Sequence, residues 1–263
     1  MSEIFEKDTY QNYENKFALS NEFIRMPNRL SAPALKVFHL FLTKIEWNKI
    51  NPKNEYGEIV INTSINEIRR AIGSTSRDYR YYLEFLDELQ MKAWIKIDKE
   101  MYYQKSLVMP NIKIWNQQEI EVTLNKELYL FFEKLYKNFT VFELTNVTKF
   151  KSRYAIILYM NLCSHMDHSK GRKDPLSETV WRYTTRQLKE LFDLSKEDYV
   201  YNRRFNRALF EKYVVERAVN EINKSNSGIF IRWRKIKDGK RVRFYEFHYV
   251  RTNTTEETDG WNY

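Results

Sequence analysis

Leu35-Lys36-Val37-Phe38-His39-Leu40 and, 120 residues further on, Ala155-Ile156-Ile157-Leu158-Tyr159-Met160 carry the same run of apolar positions. The offset persists: Ile65, Ile68 and Ile72 lie over Thr185, Leu188 and Phe192, Tyr79 over Tyr199, Phe85 over Phe205 and Leu89 over Leu209. Residue identity between the two stretches is low, but the apolar phase is kept without a gap. A phase match of this length predicts two copies of one small domain. Two similar modules favour a two-site binder over a single-pocket enzyme.

In the first copy Ser31 suits a helix cap and Pro33 the first helical turn, and Leu35, Phe38, Leu42 and Ile45 recur at helical spacing. Glu58-Ile59-Val60-Ile61-Asn62 reads as a short strand after a polar loop over 48–56. Ser64 and Glu67 form a capping-box signature for a helix ending near Gly73, and a second helix is expected from about Arg77 to Gln90. Trp94-Ile95-Lys96-Ile97 and then Ser106 to Trp115 have the alternating, β-branched character of paired strands joined by a loop over 99–104. Helix, strand, helix, helix and two strands is the order of a winged helix. The second copy repeats it after a bridging segment, 122–144, with a short helix around Lys126 to Leu135 and an extended piece Thr140 to Leu144. A helix from Lys151 to His165 follows, then the strand Trp181-Arg182-Tyr183-Thr184, a helix from Thr185 to Leu194 and a long third helix from Tyr199 to Asn223. The fold class is α+β: two tandem winged-helix domains related by an internal repeat. Residues 1–20 are read as a mobile lead-in, 21–120 as the first domain, 121–251 as the second and 252–263 as a polar tail.

Composition agrees with two packed domains. The chain has 263 residues, 43% of them hydrophobic, with 19 Tyr, 17 Phe and 6 Trp, too apolar for a mainly disordered chain. No run of about 18 apolar residues exists and the N-terminus is polar, so neither a membrane span nor a signal peptide is expected, and the protein is placed in the cytoplasm. The single cysteine, Cys163, falls in the apolar pattern of Ile157, Leu158 and Leu162 and reads as a small buried hydrophobe in a reducing compartment. The net charge of +9 is uneven: residues 1–120 carry 17 Lys and Arg against 16 Asp and Glu, residues 121–263 carry 27 against 19. A basic second half is the electrostatic footprint of a polyanion binder.

The third helix of that half has Phe205, Leu209, Tyr213, Ala218, Val219 and Ile222 as its expected core face, with Asn202, Arg203, Asn206, Arg207 and Lys212 largely off it. In a helix-turn-helix derivative this helix enters the major groove, where Arg pairs with guanine and Asn with adenine. Behind it, 229–237 and 240–250 form a hairpin whose Asp238-Gly239 pair suits a type I′ turn. Around its tip stand Arg232, Arg234, Lys235, Lys237, Lys240, Arg241 and Arg243. A charged, solvated edge strand explains one or two of these cations; seven call for an external polyanion. In the first copy Val108 to Trp115 is an exposed-strand candidate in which Ile112, Ile114 and Trp115 give an apolar edge suited to pairing with a second copy, or equally a packing position for Trp115.

Lys149-Phe150-Lys151-Ser152-Arg153-Tyr154-Ala155, the stretch Val215 to Asn223, Lys235 to Lys240 and Phe244 to Phe247 resemble the replication initiators of iteron-containing, theta-replicating plasmids, the Rep 3 family. The opening Leu19-Ser20-Asn21-Glu22-Phe23-Ile24 is similar too, so the resemblance spans roughly 17–250. It implies two winged helices, the second reading direct-repeat iterons in double-stranded DNA through its third helix and wing, with Lys149, Lys151, Ser152, Arg153 and Arg186 among the phosphate contacts. It implies a first domain that serves in dimerisation and in secondary phosphate contacts, here Arg77 and Arg80. It further implies homodimers that repress the initiator's own gene at an inverted repeat, and recruitment of host replication proteins such as the replicative helicase or its loader. The third helix is longer before Val214 than the family pattern, which leaves open whether Arg203 to Arg207 or Glu211 to Tyr213 faces the bases.

Enzymatic readings find little support. The six glycines, at 57, 73, 171, 228, 239 and 260, never take the spacing of a phosphate-binding loop. His165-Met166-Asp167-His168 forms no zinc pattern with Cys163. Neither a cofactor nor a metal is expected. A rolling-circle nicking initiator would need a His-apolar-His pair beside its tyrosine, and none is present. A transcription regulator without a replication role is compatible with the same residues.

Overall fold

The computed structural model describes residues 15–45, 56–99, 102–128, 139–166 and 178–252. The chain divides into two compact units, Met1–Arg153 and Tyr154–Tyr263. In the first, β1 (Lys16–Ser20) leads into α1 (Asn21–Ile24), α2 (Ala32–Thr43), β2 (Ile59–Ser64), α3 (Ile65–Ile72) and α4 (Arg80–Lys92). Then come β3 (Trp94–Lys99), β4 (Tyr102–Leu107), β5 (Asn111–Trp115), β6 (Glu119–Leu124), a 3-10 turn Lys126–Leu128, β7 (Phe139–Glu143) and α5 (Leu144–Thr148). Ser31 caps α2 by accepting from the Ala34 amide, with proline in the first turn. Ser31 also donates its hydroxyl to Glu88 Oε2 at 2.5 Å, which fastens α4 to the start of α2. Ser64 and Glu67 close the capping box of α3, and Gly73 ends that helix at φ +75°, a left-handed conformation glycine adopts without strain. Leu35, Phe38, Phe41, Ile68, Tyr82, Leu86 and Leu89 fill the core between these helices.

Three expectations for this unit need correction. Residues 16–20 are not a mobile lead-in: β1 pairs antiparallel with β7, and Phe17, Ala18 and Leu19 are buried, Phe17 stacked on His39. The stretch 106–115 is not one strand. Strand β4 ends at Leu107 and belongs to a β3–β4 ribbon, Pro110 lies in the break that follows, and β5 pairs with β6. The domain boundary is not at residue 120, because β6 is the central strand of the sheet β2-β6-β5 and β7 returns to β1. The expected lead-in before residue 15, the polar loop over 46–55, the helix remainder 129–135 and the tail 253–263 lie outside the described residues.

The second unit opens at Tyr154, inside α6 (Arg153–His165), followed by β8 (Thr179–Tyr183), α7 (Thr185–Leu191), β9 (Val200–Tyr201) and β10 (Arg204–Phe205). The third helix, α8, runs through Arg207–Phe210, a π-helical turn Glu211–Glu216 and Arg217–Lys224. Strands β11 (Ile229–Asp238) and β12 (Arg241–Arg251) complete a sheet of order β11-β12-β8. Thr184 and Gln187 form a second capping box, 120 residues after Ser64 and Glu67. Ile156, Leu158, Leu188, Phe192, Phe210, Val214, Ala218, Ile222, Phe247 and Tyr249 make the core. Cys163 is buried there, and burial pushes its thiol up to about 12. No helix among the described residues is long and apolar enough to cross a membrane.

Candidate nucleic-acid interface

The internal repeat keeps its register up to Tyr199 and then loses it. In the first unit Tyr79 precedes Arg80 and α4 begins; in the second, seven residues intervene before α8 begins at Arg207, the first six of them 200–205 and the last the cap Asn206. The first six form a short hairpin in which Arg204 pairs with Tyr201, and Asn202 and Arg203 are the turn residues, at φ +48° and +60°. Both central residues at positive φ is the signature of a type I′ turn. The long helix expected from Tyr199 is therefore wrong at its start, and Asn202 and Arg203 stand on a hairpin tip. Asn206 caps α8, its Oδ1 accepting from the Leu209 amide at 3.1 Å, and Arg207 is half-buried in the first turn. Neither is placed as a free base reader.

The expected core face of the helix also shifts. Leu209 and Tyr213 are 41% and 46% exposed, and the buried positions are Phe210, Val214, Val215, Ala218, Val219 and Ile222. Bonding from i to i+5 widens the π turn, so a four-residue spacing of apolar residues stays on one side through it. The solvent face carries Lys212, Tyr213, Glu216, Arg217, Asn220 and Lys224. Of the predicted base readers only Lys212 lies there. Arg217 and Asn220, the types suited to guanine and adenine, were not singled out. The signal was available: both lie opposite Ala218, Val219 and Ile222 and inside the Val215 to Asn223 motif.

Two side chains fix α8 against the wing. The Asn223 amide donates to Ile231 O and accepts from Ile231 N, both at 2.8 Å, closing the free edge of β11 at that residue. Glu211, the first residue of the π turn, accepts from Tyr245 Oη at 3.0 Å and from Lys235 Nζ at 2.9 Å. Burial and then the adjacent Glu211 charge push the Tyr245 hydroxyl well above its usual range, so it remains a donor.

The seven wing cations separate into two groups. Arg232 pairs with Glu178 at 3.0 Å, Arg234 with Glu246 at 2.6 Å and Lys235 with Glu211 at 2.9 Å. These three are accounted for by the fold, against the expectation that all seven await a polyanion. Lys237, Lys240 and Arg241 have no ion-pair partner among the described residues, and Arg243 lies over the Phe244 ring. The turn differs from the expected one as well: Asp238 pairs with Arg241, so Gly239 and Lys240 are the turn residues, with positive φ at Gly239 alone. Glycine at the first central position is the arrangement of a type II′ turn.

The paired arginines belong to a network across the outer face of the sheet. The Glu246 carboxylate, without solvent access, also receives Arg182 Nε at 2.5 Å and His248 Nε2 at 2.8 Å, while His248 Nδ1 faces Glu178 at 3.1 Å. Hydrogen bonding from His248, then from Arg182 and Arg234, holds the Glu246 carboxyl down at about 2. Burial alone would lower the His248 imidazole, but its bonds to Glu246 and Glu178 outweigh that and raise it.

The other predicted phosphate contacts divide similarly. Arg186 is highly exposed, 3.5 Å from Glu190. Lys149 and Lys151 are exposed, with Lys149 Nζ on Asn146 Oδ1 at 3.0 Å. Ser152 is buried, and Arg153 donates from Nη2 to Asn28 O at 2.7 Å, so both are turned into their own unit. Arg77 and Arg80 are exposed at the start of α4, but the rest of that helix's solvent face carries Glu84, Asp87, Met91 and Lys92 and has no excess of positive charge. Strand β5 is the edge of its sheet, with Ile112 and Ile114 half-buried and Trp115 44% exposed.

Two copies of a helix, strand, helix, helix and ribbon order, one with a solvent-facing basic third helix and basic wing, define the chain as a tandem winged-helix protein. The description "Initiator Replication protein, WH1" matches residues 16–163 and "Initiator Rep protein, WH2" matches residues 184–249. The chain belongs to the Rep 3 family of plasmid replication initiators. No curated protein matches it. Among solved structures it is similar to the Pi initiator protein in complex with iteron DNA, at 18% identity and a TM-score of 0.72 over 92% of this chain and 99% of that one. A pair of domains of RctB aligns at 9% identity with a TM-score of 0.40, covering 73% of this chain and 74% of that one.

Proposed function

We propose that the chain starts plasmid replication by binding direct repeats in double-stranded DNA through its second unit, with α8 in the major groove and the β11–β12 wing on the flanking backbone. The observation that carries this is a set of cations the fold leaves uncompensated on two elements held together: Lys212, Arg217 and Lys224 on α8, and Lys237, Lys240 and Arg241 on the wing. Neutralising phosphates with such groups releases counterions and gives tight, salt-sensitive binding. Base choice falls to Arg217 and Asn220. The solved complex of the similar Pi initiator with iteron DNA supports the same partner.

The first unit is assigned to association of two copies through the β5 edge, where Ile112, Ile114 and Trp115 lie, and to secondary phosphate contacts from Arg77 and Arg80. As a dimer the protein represses its own gene at an inverted repeat; as a monomer it loads on the repeats, helps the origin to melt and recruits a host helicase or its loader. It acts by binding, without a catalytic step of its own. The test is the DNA beside the gene. A segment with direct repeats about two helical turns apart next to an AT-rich stretch is expected to bind the protein with repeat specificity and to sustain a replicon when the protein is supplied. Specific binding without replication would leave a transcription regulator, and absence of repeat-specific binding would remove the proposal.

A further inference from the structure

The hairpin Val200–Phe205 is an excursion the fold does not need. The Asn206 amide donates to Tyr199 O at 2.6 Å, so the chain resumes beside the residue it left, and the first unit passes from Tyr79 to Arg80 with nothing between. The base of the hairpin is anchored: the Phe205 and Tyr199 rings both lie against Phe210, with centroids at 5.5 and 5.9 Å. The tip is not. Tyr201 is 70% exposed, and Arg203 and Arg204 are exposed with no ion-pair partner among the described residues. Tyr199 holds positive φ at the packed base and Asn202 is a residue type that tolerates it, but Arg203 holds φ +60° at the exposed tip, where no core packing repays the cost. Strain retained at an exposed, doubly cationic turn, immediately before the helix that reads DNA, points to a ligand contact.

We propose that this hairpin is a third DNA-gripping element, which sets Arg203 and Arg204 on the sugar-phosphate backbone beside the footprint of α8. This rests on the reading of the second unit as the DNA binder. In helix-turn-helix proteins the start of the recognition helix lies at the groove, so an extension at that end meets the adjoining strand. The contact is with phosphate and carries no sequence information itself.

The test uses the full chain, a duplex carrying one direct repeat and a random duplex of equal length, titrated over a salt series. Arg203→Gly removes the charge and relieves the positive φ. It is expected to melt no lower than the parent and to bind both duplexes more weakly by a similar factor. The log-log salt slope should fall by roughly 0.9 for the lost phosphate contact, and Arg203→Lys should recover it. Unchanged affinity and slope would overturn the proposal, as would a loss confined to one base position with the slope intact, which would make Arg203 a base reader. If Arg203→Gly melts lower, Arg203→Asn, also tolerant of positive φ, is put through the same assay against the same outcomes. The parent protein separates the two levels of inference: if it prefers the repeat, repeat-specific binding stands whatever the hairpin variants do, and if it does not, the reading of the second unit fails first.

Discussion

Arg217 and Asn220 project from the solvent face of α8 with no role in its packing, so truncating either should leave stability within about 0.5 kcal/mol. Each is expected to cost about 1 to 3 kcal/mol in repeat binding and to relax preference at one base pair, measured by competition among single-substitution duplexes. Lys237→Ala and Lys240→Ala should instead weaken every duplex alike and lower the salt slope. Glu246 governs pH dependence. Its carboxyl, held at about 2, contributes stability that is present above its unfolded value near 4.5 and lost as pH falls toward 2. His248, raised in the folded state, contributes stability that is full below 6.5 and lost as pH rises through its folded value. Thermal melting should therefore be highest between these limits, and Glu246→Gln should flatten the acid limb. At this scale the sequence marked the cations but not their employment. The partners of Arg232, Arg234 and Lys235 come from Glu178, Glu246 and Glu211, whose apposition depends on strand register and helix docking.

The helix starts at Ser31 and Ser64 were legible because cap chemistry is local: a hydroxyl accepts an amide three residues on. Ser64→Ala is expected to cost about 1 kcal/mol by chemical denaturation, typical of a lost N-cap. The start of α8 was not legible. Tyr199 to Phe205 has no glycine or proline to interrupt a helical pattern, and the positive φ values fall on Tyr199, Asn202 and Arg203. The π turn escaped for a related reason, since widening a turn leaves no compositional mark. For β5, Ile114→Asp places a charge on a half-buried edge position and is expected to give a folded monomer by light scattering that still binds a single repeat. A variant that stays dimeric would move the interface elsewhere, and one that unfolds would make Ile114 a packing residue only.

Across the whole chain, moving the boundary to Arg153 and Tyr154 changes the charge division. The first unit holds 23 Lys and Arg against 20 Asp and Glu, and the shorter second unit holds 21 against 15. The basic excess stays denser in the second unit, so Arg77→Ala with Arg80→Ala is expected to reduce the salt slope less than Lys237→Ala with Lys240→Ala in the same intact protein. Residues 121–153 fell on the wrong side of the predicted boundary because their partners are distant in sequence: Phe142 faces Phe17, and Val122 faces Ile61. Apolar periodicity reports a residue's own face, never the identity of its neighbour. The Asn223 amide on Ile231 bears on how such variants are screened. Asn223→Ala would leave a donor and an acceptor bare on an outer strand, the kind of template on which chains accumulate at high concentration. Scored by retained binding alone, it would rank beside Asn220→Ala; scored by sedimentation over a dilution series, only Asn223→Ala would recover on dilution, because its defect is colloidal rather than one of recognition.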